Sequence, residues 1–341
     1  YFFRGVTTGL NEAFILDRAT KDRLLREDQR SAEVIRPFLR GKNVKRWRFE
    51  GAESWLLFVP WHFPLHERTD IAGASKEAET QFARQYKAVY NHLHSHRPAL
   101  EDRNREETGV RYEWYALQRW GADFAGEFTK PKIVYPELAL VPEFAFDETG
   151  LHVDCTVYFI PNRRRALLAL LNSSVTRYVL NNISPAVRGG FRRFKAIYMQ
   201  QLPIPSTSPA QQALCERLAD ALIWLHSPAG RKAKDAQTGL MIAYLEQWLN
   251  GLVYELFFPG ELHARRLKLF DETAKLNPPD LAKVRAGDKL TALQELHWKA
   301  YAKDATLRAM LFDLKSLDVV RVIEDVDAAP TGDETPEDAQ E

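Results

Sequence analysis

The sequence predicts an α+β protein, with a mixed, largely antiparallel sheet and flanking helices over residues 1–205, followed by an α-helical domain. Short segments rich in β-branched and aromatic residues alternate with helical patterns in the first part. From Ser208 onward the apolar residues keep a helical spacing. Pro203 and Pro205 separate the two parts, and proline interrupts both helices and sheet ladders.

The first hundred residues combine strands and helices. "RGVTTGLNEAFILD" predicts two short β segments around a turn at Gly9, and residues 19–39 read as two helical pieces. "SWLLFVPW" predicts a buried strand. "SKEAETQFARQYKAVYNHLHSH" has helical spacing, with one apolar stripe formed by Phe82, Tyr86, Val89 and Leu93.

Two strand-like segments and a helix complete the first part. "KPKIVYPEL" predicts a strand, and "EFAFDETGLHVDCTVYFIP" predicts a hairpin that turns at Glu148–Gly150. "RRRALLALLNSSVTRYVLNNI" predicts a single helix with apolar residues every three to four positions.

The second part predicts a helical domain over residues 206–320. Ser208 and Pro209 have the residue types of an N-cap and a first helical position. "AQTGLMIAYLEQWLNGLVYELFF" predicts a helix stopped by Pro259-Gly260, and one or two helices follow. From Glu324 the chain has eight acids and no base, so we predict an acidic disordered tail over residues 321–341.

Composition excludes several protein classes. The chain has 341 residues, 45% of them hydrophobic, which is enough for a buried core. No apolar run reaches the roughly 20 residues that a membrane span requires. The two cysteines, Cys155 and Cys215, form no disulfide framework, so we expect a reducing, cytoplasmic setting. Because Tyr1 opens a strand-like segment, we also expect the chain to begin inside a longer protein.

The net charge of +1 conceals a strong asymmetry. Residues 1–205 contain 31 Lys and Arg against 24 Asp and Glu, whereas the remainder contains 16 against 22. No acid occurs between Asp154 and Glu216. Such a distribution favours a polyanionic partner for the first part.

Three basic clusters are candidates for nucleic-acid contact, because Lys and Arg bind phosphates and Arg also reads guanine edges. A solvated surface is the alternative for any single cluster; three clusters around an acid-free stretch favour nucleic acid. The candidate residues of the clusters are Arg40, Lys42, Lys45, Arg46, Arg48, Arg163, Arg164, Arg165, Arg188, Arg192, Arg193 and Lys195.

Signatures of catalysis are weak. His92 and His96 could share a helix face, as could His62 and His66, but neither pair has a further ligand nearby, so we predict no metal site. The chain lacks GxGxxG, GxxxxGK[ST] and GxSxG patterns. "NPPD" at 277–280 has Asp where a methyltransferase motif needs an aromatic residue, and we interpret it as a turn.

In order, the segments "GVTTGLNEAFILD", "IRPFLRGKNVKRW", "KPKIVYPEL", "LLALLNSSVTRYVL" and "RGGFRRFKAIYMQQLPIP" resemble the TaqI-like C-terminal specificity domain. This is the target-recognition domain of adenine-specific DNA methyltransferases and of type IIG restriction–modification enzymes. The combination of "TGxNxAF", "LRGxxVxRW" and "LNS" carries the resemblance, which covers most of residues 5–205.

The resemblance implies a non-catalytic chain that recognises duplex DNA for an upstream methyltransferase domain. That missing part would bind S-adenosylmethionine, with Mg as a further candidate, and the parent would methylate adenine with or without cleaving DNA. Residues 1–205 would be the specificity domain. Thr7, Thr8 and Asn11 join the basic residues as DNA candidates, since Asn pairs with adenine, although Asn11 equally suits a turn.

Two other functions stay open. The helical part could be an assembly module that docks a methyltransferase or nuclease subunit. The chain could also be a self-contained nuclease or methyltransferase, for which we identify no metal or methyl-donor site. For "LNS", helix packing or capping is preferred over DNA contact.

Overall fold

The computed structural model describes residues 1–51, 53–232 and 236–325, without the side chains of Ala236 and Asp325. The strands are β1 Phe3–Arg4, β2 Ile15–Leu16, β3 Ile35–Leu39, β4 Val44–Lys45, β5 Arg48–Phe49, β6 Ser54–Leu57, β7 Lys132–Pro136, β8 Leu138–Ala139, β9 Ala145–Asp147, β10 His152–Val153, β11 Val157–Ile160 and β12 Arg192–Arg193. The first helices are α1 Asn11–Phe14, α2 Arg18–Glu27, α3 Lys76–Gln85, α4 Lys87–His94, α5 Arg97–Asp102, α6 Arg165–Leu171, α7 Ser174–Ile183 and α8 Ala196–Met199.

The remaining described elements are all helical, as the residue pattern after Pro205 predicts. They are α9 Pro209–His226, α10 Pro228–Lys232, α11 Ala236–Phe257, α12 Pro259–Ala264, α13 Leu269–Leu276, α14 Lys289–Tyr301, α15 Thr306–Leu314 and α16 Asp318–Asp325. Two compact units divide these elements. Among the described residues, unit 1 lies within 1–44, 50–136 and 147–161, and unit 2 lies within 45–49, 137–146 and 162–325.

Unit 1 contains two small sheets. In the first, β11 lies between β1 and β7 and pairs antiparallel with both, with Phe159 opposite Phe3 on one side and Val134 on the other. In the second, the strand order is β10–β3–β6–β2, and only the β10–β3 pair is parallel. The pairing is therefore largely antiparallel, as predicted.

Two local predictions in unit 1 were wrong. The helical prediction for 19–39 holds through α2 and a 3-10 turn at Gln29–Glu33, but Ile35–Leu39 form β3. Pro37 would remove a hydrogen bond from a helix, whereas β6 offers a complete antiparallel partner with Trp55 opposite Pro37. The predicted hairpin after Phe144 does not form either, because β10 pairs with β3.

Helices α3 and α4 pack their predicted stripe into the core of unit 1. Phe82, Val89 and Leu93 are fully buried, and Tyr86 is 7% exposed. Ser75 caps α3 by accepting a hydrogen bond from the Ala78 amide. The stripe continues across the break between the two helices, so the helical period was read correctly although the helix is interrupted.

Unit 2 is built mainly on helices. The predicted single helix after Arg163 is two helices: α6 ends at Leu171 with Asn172 as its C-cap, and Ser173 caps α7 by accepting from the Thr176 amide. Ser208 caps α9 and Pro209 begins it, as predicted, and Gln211 completes a capping box with Ser208. The fully buried Trp248 on α11 donates to Thr273 on α13 at 2.7 Å, which joins these helices.

The predicted fold class is confirmed: small, mostly antiparallel sheets with flanking helices precede an α-helical part. Compact packing groups residues 162–205 with the later helices. The domain limits at residues 205 and 320 stay predictions. Residues 326–341 of the predicted tail lie outside the described residues, while 321–325 belong to α16. None of the described helices is long and apolar enough to cross a membrane.

Candidate nucleic-acid interface

Residues 184–195, which we call the arginine hairpin, lie in unit 2. Phe191 and Phe194 are 3% and 1% exposed and fix the hairpin to the core. Strand β12 pairs antiparallel with β8, with Arg192 opposite Ala139. The Phe194 amide donates to the carbonyl of Glu137 at 2.7 Å. The hairpin is therefore attached to its unit through both side chains and backbone.

The tip of the arginine hairpin is a three-residue loop, Arg188–Gly190. Below it, Ala186 and Arg192 form an antiparallel bridge, and the Val187 amide donates to the Phe191 carbonyl at 2.7 Å. Gly189 and Gly190 both have positive φ, at 73° and 76°, a conformation that side chains disfavour. This tight turn explains the Gly-Gly pair in the sequence.

Arg192 and Arg193 are engaged by the chain itself. Arg192 donates from Nη1 to the carbonyl of Ser184 at 2.8 Å. Arg193 forms an ion pair with Glu137, with 3.4 Å between Nη1 and Oε1. Both side chains are only partly exposed. Their predicted contact with DNA stays a prediction, but each has a structural role in holding the hairpin.

Four predicted cations of unit 2 are exposed and form no ion pair with any residue that the structure describes: Arg163, Arg164, Arg188 and Lys195. Arg163 and Arg164 immediately precede α6, and Lys195 immediately precedes α8. Arg165 differs, because it pairs with Asp220 at 2.9 Å and lies 4.9 Å from the ring centre of Phe146. The basic cluster at 163–165 thus divides into two exposed arginines and one engaged arginine.

The cluster at 40–48 is held largely by acids. In unit 1, Arg40 pairs with Asp154 at 3.6 Å, and Lys42 is exposed. In unit 2, Lys45 pairs with Glu143 at 3.4 Å, and burial raises the pKa of that carboxyl. Arg48 lies 3.3 Å from Nδ1 of His226. Most of this predicted phosphate-binding cluster therefore has intramolecular partners.

Arg46 and Trp47 both contact Glu246 on helix α11. Arg46 donates to the Asn172 carbonyl at 2.7 Å and pairs with Glu246 at 3.1 Å. The buried Trp47 donates from Nε1 to the same Glu246 oxygen at 2.9 Å. A polar cavity of about 410 Å³ adjoins this network. Spacing alone did not indicate Glu246, because it lies about 200 positions away in sequence.

The "LNS" residues serve the fold. Asn172 donates from Nδ2 to the Phe144 carbonyl at 3.0 Å and accepts from the Phe144 amide at 3.2 Å. Ser173 caps α7, and the Ser174 amide donates to Asn250 at 3.0 Å. These contacts agree with the prediction of packing and capping rather than DNA contact.

The first turn is also organised locally. Thr7 donates its amide to the Arg119 carbonyl at 2.8 Å. The buried Thr8 donates from its hydroxyl to Oδ1 of Asn11 at 2.7 Å. The hydrogen bond with Thr8 gives Asn11 a structural role in the turn. Asn11 is exposed, and its contact with adenine stays a prediction.

The histidine pairs have other partners. His62 lies 3.0 Å from the carboxylate of Glu113, and His92 lies 3.0 Å from the Ala13 carbonyl. Within the described residues, no three His, Cys, Asp or Glu side chains form a group suited to a metal ion. In "NPPD", Asn277 ends α13 with φ of 48°, which places this segment in an interhelical turn, as interpreted from the sequence.

A family model for the TaqI-like C-terminal specificity domain matches residues 36–204, a range that includes the whole arginine hairpin. The chain carries a TaqI-like specificity domain. The type II methyltransferase M.PaeR7I from Pseudomonas aeruginosa is 24% identical to this chain over 222 residues, 64% of this chain and 34% of that protein. The type II methyltransferase M.XhoI from Xanthomonas vasicola is 29% identical over 113 residues, 32% of this chain and 21% of that protein.

The chain spans about a third of the length, or less, of the methyltransferases that it matches. The solved type IIL restriction–modification enzyme MmeI, in complex with DNA, is similar in fold, with a TM-score of 0.53 and 15% identity. That likeness covers 80% of this chain and 35% of the MmeI chain. It agrees with the mixed α and β class predicted for the TaqI-like domain.

Proposed function

We propose that the chain recognises a specific sequence of duplex DNA as the specificity part of a restriction–modification DNA methyltransferase. The TaqI-like domain match over 36–204 carries this proposal. The described surface supports it, because the matched range contains the exposed cations Arg163, Arg164, Arg188 and Lys195 within an acid-free stretch. Uncompensated cations favour a polyanion such as the DNA backbone.

The positions of the acids sharpen the proposal. In the 40–48 and 188–195 clusters, several basic side chains already neutralise carboxylates, including Asp154, Glu143 and Glu137. Exchanging such a pair for a phosphate would return a partly buried carboxylate to an unpaired state, which is costly. Arg163, Arg164 and Lys195 incur no such cost, so we assign them the phosphate contacts.

For the whole protein we propose adenine methylation with S-adenosylmethionine bound by an upstream methyltransferase domain, the main protein partner. Mg and endonuclease activity are further candidates for that upstream part. The named relatives are type II methyltransferases, which supports a methyltransferase rather than an unrelated DNA-binding protein. We place the activity in the cytoplasm, where the DNA substrate lies.

A salt titration of duplex binding tests the proposal. If these three cations contact phosphates, the logarithm of the association constant falls with the logarithm of salt at a slope of about −2.7. Affinity then drops about 40-fold between about 50 and 200 mM salt. The chain should be titrated into a fluorescent duplex pool of random sequence. Attraction between charges is screened least at low salt. No binding at about 20 to 50 mM salt would therefore contradict the proposal.

A second candidate function, assembly, is favoured by the apolar surface of the late helices. Trp298 on α14 is 66% exposed, and Phe312 on α15 is 78% exposed. Exposed aromatic residues are enriched where proteins meet. In the proposed arrangement they dock the methyltransferase domain. Sedimentation of wild type and Trp298→Gln/Phe312→Gln with the separately produced domain tests this, and equal association of both would contradict it.

A further inference from the structure

We propose that Arg188, at the tip of the arginine hairpin, reads a guanine in the major groove. The inference rests on the proposed function and goes beyond it by naming the reading element. Its starting point is the contrast among three nearby arginines. Arg192 and Arg193 are held by Ser184 and Glu137, whereas Arg188 is exposed and forms no ion pair with the described residues.

The hairpin presents Arg188 from a fixed base. The bridge between Ala186 and Arg192, and the hydrogen bond from Val187 to Phe191, close the loop directly beneath the tip. A second hydrogen bond joins the Arg193 amide to the Pro185 carbonyl at 3.2 Å. The backbone that carries Arg188 is thus ordered before any ligand binds, which reduces the entropy lost on binding.

The shape of the tip suits a groove. Two of its three residues are Gly189 and Gly190, so a single side chain projects from the loop. The major groove of B-DNA is about 12 Å wide and admits a two-stranded ribbon. The absence of side chains at two tip positions lets the backbone approach base edges or phosphates closely. An elongated side chain such as arginine then extends further than its neighbours.

The chemistry of the side chain points to guanine. The guanidinium presents parallel N–H donors that match O6 and N7 of guanine with two hydrogen bonds. Lysine carries the same charge without the planar two-donor geometry. An arginine that only binds phosphate is distinguished by the effect of removing it, because its removal lowers the affinity for all sequences about equally.

Selection from a duplex library with a randomised core tests the assignment, using the full chain as wild type, Arg188→Ala and Arg188→Lys. We expect wild type to enrich a motif that contains a G·C pair, and both variants to lose preference at that one position. Affinity of both variants for the wild-type motif should fall roughly 5- to 150-fold. The salt slope of Arg188→Lys should stay that of wild type.

Two control variants separate the alternatives. Arg164→Ala removes a proposed phosphate contact and should weaken binding to all duplexes with a salt slope shallower by about one. Arg231→Ala removes an exposed arginine outside the acid-free stretch and should leave binding and motif unchanged. Thermal melting of each variant checks that the fold is intact.

Each remaining outcome overturns a different statement. If wild type binds no duplex at low salt, the proposed function fails. If wild type binds and enriches a motif that both Arg188 variants also enrich with equal affinity, the reading role fails while the proposed function stands. Duplex binding without any enriched motif overturns sequence-specific recognition, and with it base reading by Arg188. A uniform loss across all sequences in Arg188→Ala overturns base reading alone.

Discussion

Arg192 donates a hydrogen bond from Nη1 to the backbone carbonyl of Ser184, at 2.8 Å. The bond spans the base of the arginine hairpin, eight residues apart in sequence. Beside it, Arg193 reaches the carboxylate of Glu137. The positive charge of this stretch suggests DNA contact for all of its cations. Two of them, Arg192 and Arg193, instead hold the hairpin from which Arg188 projects. Charge density alone does not distinguish these roles, whereas the partners do.

Arg192→Ala should loosen the hairpin and weaken DNA binding indirectly. Loss of the charged donor should lower the free energy of unfolding by roughly 1–2 kcal/mol, reduced from the buried value because Arg192 is partly exposed. Hydrogen exchange of the Val187 and Phe194 amides should accelerate. The selected DNA motif should stay that of wild type at a lower affinity. A changed motif with unchanged exchange would instead identify Arg192 as a base reader.

The Trp47–Glu246 hydrogen bond predicts a second stability effect. Glu246→Ala removes the acceptor at 2.9 Å from a buried indole N–H and also the ion-pair partner of Arg46. An unsatisfied buried donor costs roughly 1–3 kcal/mol. Urea denaturation of Glu246→Ala, Trp47→Phe and the double variant should give non-additive losses in the free energy of unfolding, because each single change breaks the same hydrogen bond. Strict additivity would show that the two side chains act independently.

Local signals in the sequence predicted the elements that depend on local interactions. The stripe from Phe82 to Leu93 and the Ser208 cap depend on residues a few positions apart, and both are present. The strand at Ile35–Leu39 was missed because its stability comes from pairing with β6, which helical spacing does not show. Likewise, α6 and α7 are separated by side-chain capping at Ser173 within an unbroken apolar pattern.

For the candidate site, too, the sequence predicted local features and missed contacts between residues far apart in the chain. The basic clusters and the Gly-Gly turn were visible in the sequence, because composition and glycine content are local properties. Which cations are engaged was not visible, because their acids lie far along the chain: Glu137 for Arg193 and Glu246 for Arg46. The fold, rather than the spacing, therefore separates supporting arginines from exposed ones.

The buried Lys132–Asp147 pair in unit 1 predicts a large destabilisation. Its atoms lie 2.5 Å apart, both side chains are fully buried, and burial lowers the pKa of Lys132. Lys132→Met leaves the Asp147 carboxylate buried without its cation, which should cost roughly 3–5 kcal/mol. Glu127→Gln breaks the exposed pair with Lys130 nearby and should cost less than about 1 kcal/mol. Equal costs in calorimetry would contradict this account.

His152 predicts a loss of stability in mild acid. The ring is 3% exposed, stacks on Phe128 at 4.9 Å between ring centres and meets the edge of Phe58 at 5.0 Å. Burial, followed by the positive charges of Arg36 and Lys132, lowers its pKa to about 4, and Asp147 opposes this shift. The unfolded chain, with an ordinary pKa of about 6.5, therefore binds the proton more tightly than the folded chain does.

Because the unfolded state gains the proton first, this contribution is complete above pH of about 6.5 and declines as the pH falls toward about 4. The full loss is roughly 3 kcal/mol. His152→Phe keeps an aromatic ring between Phe58 and Phe128 but cannot titrate. Urea unfolding of both proteins at several pH values should show a shallower dependence for the variant across this window. If both curves have the same slope, groups other than His152 cause the acid sensitivity.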